Sequence, residues 1–254
     1  MKIVLTGTGT SQGIPVIGCH CEVCRSTDPK DKRLRTAAFI HEGETHLAID
    51  AGPDFRQQML SLAIDHLDAL VLTHEHNDHV AGLDDIRPFN FRQGQPLKVY
   101  ALPRVAEDLK HRFAYIFSEH PYPGAPQIDL IEITPYQEYQ VGEITFNPFL
   151  VKHGSVDILA LNLKRLCYIT DANQIPAESE IFLEGCQTLI LNALHHRNHH
   201  SHFNLEQAIK VVERYRIPHA YFIHISHHMG LHKQINEELP TGIELGYDGQ
   251  IIRF

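Results

Sequence analysis

Apolar residues recur along the chain in short runs rich in valine, isoleucine and leucine, a pattern typical of β-strands. Fewer segments repeat their apolar residues at the spacing of an α-helix. The clearest helical segment is 204–215, where Asn204 can cap the first turn. The remaining predicted helices are 53–62, 104–117 and 233–237. The predicted strands are 2–6, 37–41, 45–49, 69–72, 97–100, 127–133, 144–151, 158–163, 166–170, 188–191, 220–223 and 243–252.

Many strands accompanied by a few amphipathic helices predict an α/β fold in which two sheets pack face to face with helices outside. The chain contains no low-complexity linker and no internal repeat. We therefore expect one domain over residues 1–254.

The overall charge argues against a nucleic-acid partner. Acidic residues number 31 and basic residues 22, which gives a formal net charge of −9, whereas binding to a phosphate backbone depends on clustered Lys and Arg. No apolar run approaches the ~18 residues that a membrane span requires. The apolar stretch after Met1 is too short for a secretory signal, so we expect a cytoplasmic protein with no membrane partner.

Histidine is unusually abundant, with 20 residues, and three histidines crowd a single loop together with Asp78. The buried-type strand around Leu70 leads directly into Thr73-His74-Glu75-His76-Asn77-Asp78-His79. Imidazole and carboxylate together favour a borderline divalent ion such as zinc, iron or manganese. His74 and His76 are spaced to bind one ion, while Asp78 and His79 are better placed for a second. A solvated polar loop is the alternative interpretation.

The segment from Thr73 to His79 resembles the signature of the metallo-β-lactamase superfamily of metal-dependent hydrolases. That resemblance implies a four-layer αββα sandwich and further ligands downstream, and this chain offers a match at each place. By similarity, His74, His76 and His153 bind the first ion, Asp78, His79 and His224 bind the second, and Asp171 bridges the two. Asp50 resembles an early aspartate that supports the site. Asp171, where some antibiotic-degrading relatives use a sulfur ligand, favours the phosphodiesterase and thioesterase branches.

A dinuclear centre of this kind suits an anionic substrate. Two divalent ions, two carboxylates and a bridging hydroxide leave a local charge of about +1. Paired ions ~3.5 to 4 Å apart activate water and stabilise the charge of an in-line displacement. The hydroxide would be the nucleophile, so that no activated Ser or Cys is needed.

A second metal site is predicted from cysteines. Cys19, Cys21 and Cys24 supply three soft ligands of a tetrahedral structural zinc site in a loop at about residues 18–25. His227 is the best candidate for the fourth ligand, and His228 competes with it. Reduced cysteines without an ion are the alternative. Cys167 and Cys186 are expected to be core residues.

The chain is also similar to the PhnP-type phosphodiesterases, which open phosphoribosyl 1,2-cyclic phosphate. The similarity rests on the glycine loop from Gly7 to Pro15, on the cysteine cluster and on the segment from His224 to His227. It implies that the glycine loop lies near the site and that His202 donates a proton to the leaving alkoxide. Asn204 stands where the family pattern has an aspartate, which leaves the sugar or alcohol of the substrate open.

The leading hypothesis is a metal-dependent phosphodiesterase with two catalytic divalent ions, zinc or manganese, one structural zinc and a small or cyclic phosphodiester substrate. Three alternatives stay open: tRNA 3′-end processing, thioester or lactam hydrolysis on the same centre, and a non-enzymatic metal-binding protein. Relatives suggest a homodimer. The histidines of the 195–200 loop are expected to be solvated or supporting groups. Arg197 is expected to be an exposed loop residue, with a phosphate contact as the alternative.

Overall fold

In a computed structural model that describes all of residues 1–254, the strands form two seven-stranded sheets. The first sheet has the order β14-β1-β2-β3-β4-β5-β6, and the second has the order β13-β12-β11-β10-β9-β8-β7. The strands of the first sheet are β1 (Lys2–Gly7), β2 (Ala37–Glu42), β3 (Thr45–Ile49), β4 (Ala69–Val71), β5 (Leu97–Ala101), β6 (Ile128–Glu132) and β14 (Gln250–Arg253). Those of the second are β7 (Tyr139–Val141), β8 (Ile144–His153), β9 (Val156–Leu163), β10 (Leu166–Ile169), β11 (Thr188–Asn192), β12 (His219–Ile223) and β13 (Ile243–Leu245).

Successive side chains of the second sheet point alternately into two hydrophobic cores, one on each face of the sheet. In β9, Leu159 and Leu161 join the core shared with the first sheet, whereas Ile158 and Ala160 join a second core. This alternation follows from the two-residue period of a strand. It confirms the predicted fold, two sheets packed face to face with helices outside.

Helices cover the outer faces of both sheets. Helix α6 caps its first turn with a capping box between Asn204 and Gln207 and buries Ala208 and Val212 in the second core. No helix is both long enough and apolar enough to span a bilayer. The helices are α1 (Glu22–Arg25), α2 (Phe55–Leu62), α3 (Asn77–Val80), α4 (Arg87–Gln93), α5 (Pro103–Arg112), α6 (Leu205–Arg214) and α7 (His232–Glu238).

The prediction of one strand over 243–252 is wrong. The chain turns at 246–249, where Gly249 has a φ of 86°, and so β13 and β14 belong to different sheets. The predicted helix 104–117 ends at Arg112 because the next residues turn to bury Phe113 and Ile116. Strand β7 and the short helices α1, α3 and α4 were not predicted.

Parallel pairing brings the carboxyl ends of several strands together. Strands β3 and β4 are parallel in the first sheet, and β10, β11 and β12 are parallel in the second. The two sheets are joined at this edge by a hydrogen bond of 3.0 Å from the amide of Leu159 to the carbonyl of Thr73. The predicted metal ligands follow these strand ends, except His153, which is the last residue of β8.

Candidate metal centre

Three histidines from both sheets form one group of potential ligands. His74 follows β4, His76 precedes α3 and His153 ends β8. The Nε2 of His74 lies 3.0 Å from the Nδ1 of His76. The Nδ1 of His153 donates to the carbonyl of Asp171 over 2.6 Å, so its Nε2 is free for a ligand. The donor atoms of the three residues lie within 4.8 Å of one another.

A second group consists of Asp78, His79, Asp171 and His224, and its donor atoms also lie within 4.8 Å of one another. The Oδ1 of Asp171 is 3.0 Å from the Nδ1 of His224 and 3.5 Å from the Nε2 of His79. Asp78 lies in the first turn of α3, with its Oδ2 3.3 Å from the Nε2 of His79. The structure thus brings together all seven residues that the resemblance implied for the dinuclear centre.

Three residues of this region have a left-handed backbone although none is a glycine. The φ angles are 65° at Asp50, 59° at Asp171 and 55° at His224. Such conformations cost of order 1–3 kcal/mol each and concentrate at functional sites. Each residue lies just past a strand end, where the strained turn directs its side chain toward the shared edge.

Asp50 orients His79 instead of joining either group of donors. Its Oδ2 is 2.7 Å from the Nδ1 of His79, and its Oδ1 accepts from the amide of Thr73 over 2.8 Å. A carboxylate on the second nitrogen of a histidine fixes the tautomer and raises the basicity of the first nitrogen. This geometry agrees with the supporting role that the sequence predicted for Asp50.

A close backbone contact holds the loop that carries Asp78 and His79. A Cβ atom on Gly52 would lie only 1.9 Å from the carbonyl oxygen of Asp78. The amide of Ala51 also donates to the carbonyl of His79 over 2.7 Å. Only glycine fits at position 52 while this loop keeps its place.

Burial and neighbouring charges shift the pKa values of the site residues. Burial would raise the pKa of Asp171, but His224 and His79 hold it well below its usual value. Burial would lower the pKa of His79, but Asp171 and Asp50 raise it well above its usual value. Burial keeps the pKa of His74 well below its usual value. The buried part of the site therefore combines the anionic carboxylate of Asp171 with a cationic His79 and a neutral His74.

His202 lies between the two groups. Its ring centroid is 4.8 Å from the ring of His153 and 4.8 Å from the ring of His224. Burial, followed by the charge of His224, lowers the pKa of His202 to about 2. Its Nδ1 is buried and has no hydrogen-bond partner, and one nitrogen of its ring lies within 4.8 Å of donor atoms of His153 and Asp171.

The histidine-rich loop surrounds His202 on the exposed side. The ring of His199 is 5.0 Å from the ring of His202, and His196 donates to the carbonyl of Met229 over 2.8 Å. His195 accepts from the amide of Arg197 over 3.1 Å, and the rings of His199 and His200 are 4.4 Å apart. None of these histidines belongs to a group of metal donors.

The cysteine loop forms a separate cluster. The Nδ1 of His227 lies 3.3, 3.4 and 3.5 Å from the sulfur atoms of Cys19, Cys21 and Cys24. A tetrahedral zinc ion with ordinary bond lengths separates a sulfur from a nitrogen ligand by about 3.6 Å. The ring of His228 is tilted against that of His227, with ring centroids 4.0 Å apart, and His228 lies outside the cluster. Cys167 and Cys186 are buried in the second core, as predicted.

Sequence reasoning missed two hydroxyls beside His224. The Oγ1 of Thr10 is 3.1 Å from the Nε2 of His224, and the Oγ1 of Thr36 is 3.3 Å from its Nδ1. A threonine carries no recognisable signal for such a role. The predicted proximity of the glycine loop was the only sequence clue to Thr10.

The donor sets fit divalent metal ions. The Nε2 of His79 is buried without a hydrogen-bond partner, which is costly unless a cation or another group satisfies it. Imidazole and carboxylate suit borderline divalent ions, whereas the three thiols and one imidazole suit zinc.

Comparison with known proteins gives a consistent result. The model of the β-lactamase superfamily domain matches residues 45–225. A protein from Porphyromonas gingivalis named octanoyltransferase is 43% identical over 251 residues, which cover 98% of this chain and 51% of that protein. The chain thus spans about half the length of this relative.

Solved structures extend the comparison. A crystal structure described as a new diphosphatase from the PhnP family has a TM-score of 0.93 and 37% identity, and covers 100% of this chain and 96% of that one. Zinc-bound PqqB from Methylobacterium extorquens has a TM-score of 0.79 at 20% identity over the full length of both chains. The second likeness concerns the fold alone.

Proposed function

The chain belongs to the metallo-β-lactamase superfamily of hydrolases, close to its PhnP-type members, and we propose that it is a metal-dependent phosphodiesterase acting on a small or cyclic phosphodiester. One observation carries the proposal. Seven potential ligands from both sheets converge beside a buried histidine whose Nδ1 has no partner. A purely structural metal site would not require that additional free group.

The seven residues divide between two catalytic ions, zinc or manganese. We assign His74, His76 and His153 to the first ion, Asp78, His79 and His224 to the second, and Asp171 to both. When bound, such a pair lowers the pKa of water and polarises a phosphoryl oxygen. The protein contributes the fixed positions of the ligands, and Asp50 contributes the orientation of His79.

His202 is assigned to the leaving group. Its pKa of about 2 makes it neutral before substrate binds. An anionic phosphoryl oxygen nearby would favour its protonated form, because an opposite charge raises the pKa of an imidazole. The substrate thereby prepares His202 to pass a proton to the departing alkoxide.

Cys19, Cys21, Cys24 and His227 are assigned to a structural zinc ion. All five cysteines of the chain are free thiols, which suits a reducing compartment such as the cytoplasm. The loop from 18 to 25 contains only the short helix α1, so the ion would supply rigidity that regular structure does not.

The net charge of the protein and its similarity to a diphosphatase both favour a small phosphodiester as substrate. A net charge of −9 disfavours the long phosphate backbone of a tRNA precursor, whereas a small phosphodiester needs only a local positive field. The relative described as a diphosphatase supports phosphorus–oxygen cleavage. By resemblance to its relatives, we also propose that the protein is a homodimer.

Thioester hydrolysis is the second candidate. The supporting observation is the 43% identical relative named octanoyltransferase, although that protein is about twice as long as the matched region. Its name describes a whole protein of which about half lies outside this chain.

A substrate panel separates these candidates. The purified protein should be assayed with bis-p-nitrophenyl phosphate, a cyclic ribose phosphate, a dinucleoside diphosphate, a glutathione thioester and a lactam. We expect turnover of one or more phosphorus esters. Turnover of the thioester alone would contradict the proposal.

A matched pair of variants tests the site. His76→Ala should abolish hydrolysis and leave the unfolding transition largely unchanged, because His76 is exposed and acts through the ion. His111→Ala, also an exposed histidine but located on α5, should retain full turnover. Hydrolysis by His76→Ala at the rate of the unmodified protein would refute the assignment.

A further inference from the structure

Thr10 connects the cysteine cluster to the catalytic centre. The residue is 9% exposed, and its Oγ1 lies 3.1 Å from the Nε2 of His224. The other nitrogen of that ring, Nδ1, is 3.0 Å from the Oδ1 of Asp171. When Nδ1 binds an ion, the neutral ring carries its proton on Nε2, and Nε2 then donates a hydrogen bond to the hydroxyl of Thr10. The hydroxyl thus fixes both the tautomer and the orientation of the ring.

The segment that carries Thr10 is bound to the backbone around His224. The amide of Thr10 donates to the carbonyl of Ile225 over 3.0 Å, and the amide of Ile225 donates to the carbonyl of Thr8 over 2.9 Å. Gly9 forms a parallel bridge with Ile225. Any shift of residues 8–10 would therefore move His224.

The same segment leads directly into the cysteine cluster. The amide of Val16 donates to the sulfur of Cys24 over 3.4 Å, and the amide of Cys19 donates to the carbonyl of Val16 over 3.0 Å. At the other side of the cluster stands His227, three residues after His224. The cluster thus fixes the segment 8–16 and the segment 224–227 relative to each other.

We propose that Thr10 is a positioning residue for His224, and that the cysteine cluster, by fixing residues 8–16 against residues 224–227, sets the affinity of the second catalytic ion. This inference rests on the proposed function, because it takes the assignment of His224 to that ion as its premise. The cysteine site then has a role in catalysis although it contacts no substrate.

Titration of the metal-free protein with Co²⁺ tests the proposal without an activity assay. A thiolate-to-cobalt charge-transfer band reports the cysteine cluster alone, since the catalytic ligands include no sulfur. Visible ligand-field bands report the remaining ions. In the unmodified protein we expect the thiolate band from one equivalent of Co²⁺ and ligand-field bands from two further equivalents of Co²⁺.

Three threonine variants isolate the hydroxyl. Thr10→Val should lower the affinity for the last equivalent of Co²⁺ by about 10- to 100-fold, which is the usual effect of losing a hydrogen-bond partner of a metal ligand. Thr10→Ser retains a hydroxyl and should stay within about threefold of the unmodified protein. Thr6→Val is the matched control, because the buried Oγ1 of Thr6 has no partner, and its titration should be unchanged.

The outcomes separate the two proposals. Unchanged affinity in Thr10→Val would overturn the positioning role. Loss of the thiolate band in Cys21→Ser with full affinity for the last equivalent would overturn the coupling to the cysteine cluster. Binding of cobalt by the unmodified protein at the thiolate site alone would instead overturn the dinuclear centre of the proposed function.

Discussion

Single residues carry the proposed chemistry, and His202 is the one whose role depends most on its surroundings. Its pKa of about 2 follows from burial and from the nearby His224. A group so strongly biased toward its neutral form needs the charge of the substrate to act as an acid.

We expect His202→Ala to reduce kcat by about 10²- to 10⁴-fold, the usual contribution of a general acid. Metal content, measured by elemental analysis, should remain that of the unmodified protein. His196→Ala is the control, because His196 lies in the same loop but hydrogen-bonds the backbone. An equal loss of metal and of turnover in His202→Ala would make His202 a ligand instead.

His232 provides a residue-scale test of stability against pH. Burial and the neighbouring Arg33 lower its pKa to about 4, and its Nδ1 is 3.1 Å from a guanidinium nitrogen of Arg33. The unfolded chain therefore binds a proton near pH 6.5 that the folded protein binds only near pH 4. This contribution to stability is present above pH 6.5 and is lost as the pH falls toward 4.

The loss amounts to about 3.5 kcal/mol at most, from roughly 1.4 kcal/mol for each pH unit of the shift. Asp248 opposes it, because burial raises the pKa of this carboxyl to about 6 and its contribution is lost as the pH rises through 6. A comparison of the unmodified protein with His232→Gln isolates the histidine. Their difference in urea unfolding free energy should shrink between pH 6.5 and 4, and a constant difference would contradict the assignment.

At the scale of elements, strand ends and the turns that follow them create the site. Sequence patterns located most strands and the main helices because each has a clear apolar period. The sequence patterns failed for the segment 243–252. A turn at Gly246 and Gly249 divides this segment between the two sheets, and that turn depends on tertiary contacts. The amide of Gly246, for example, donates to the carbonyl of Phe222 over 2.7 Å.

The candidate ligands were predicted for a different reason. The residues from His74 to His79 share one loop and can be recognised there, whereas His153, Asp171 and His224 were identified only through resemblance to a family. The convergence of Asp171 and His224 depends on parallel pairing of β10 with β11 and of β11 with β12, and His153 is placed by antiparallel pairing of β8 with β9. Composition does not encode these pairings. Thr10 lacked even that signal.

Gly52→Ala tests the packing of the loop that bears Asp78. The added Cβ would lie 1.9 Å from the carbonyl oxygen of Asp78, so the loop must move. We expect loss of catalytic metal together with a lower free energy of unfolding.

Gly94→Ala is the matched control. Gly94 has a φ of 67° and open space around its Cα, so alanine there should cost about 1 kcal/mol of backbone strain and leave metal content unchanged. Equal metal content in the two variants would show that the contact at Gly52 does not position the ligands.

At the scale of the whole molecule, two sheets bring together ligands that are far apart in the sequence. His74 and His224 are 150 residues apart in the chain, yet their side chains belong to adjacent groups of donors. The overall charge of −9 repels a phosphate. We therefore expect the bound cations of the site to attract it through their local positive field.

Anomalous X-ray diffraction from crystals of the protein purified with its native metals tests the central claim most directly. We predict two neighbouring anomalous peaks enclosed by His74, His76, Asp78, His79, His153, Asp171 and His224, and a third peak among Cys19, Cys21, Cys24 and His227. A map with no peak among the seven residues around Asp171 would contradict the account.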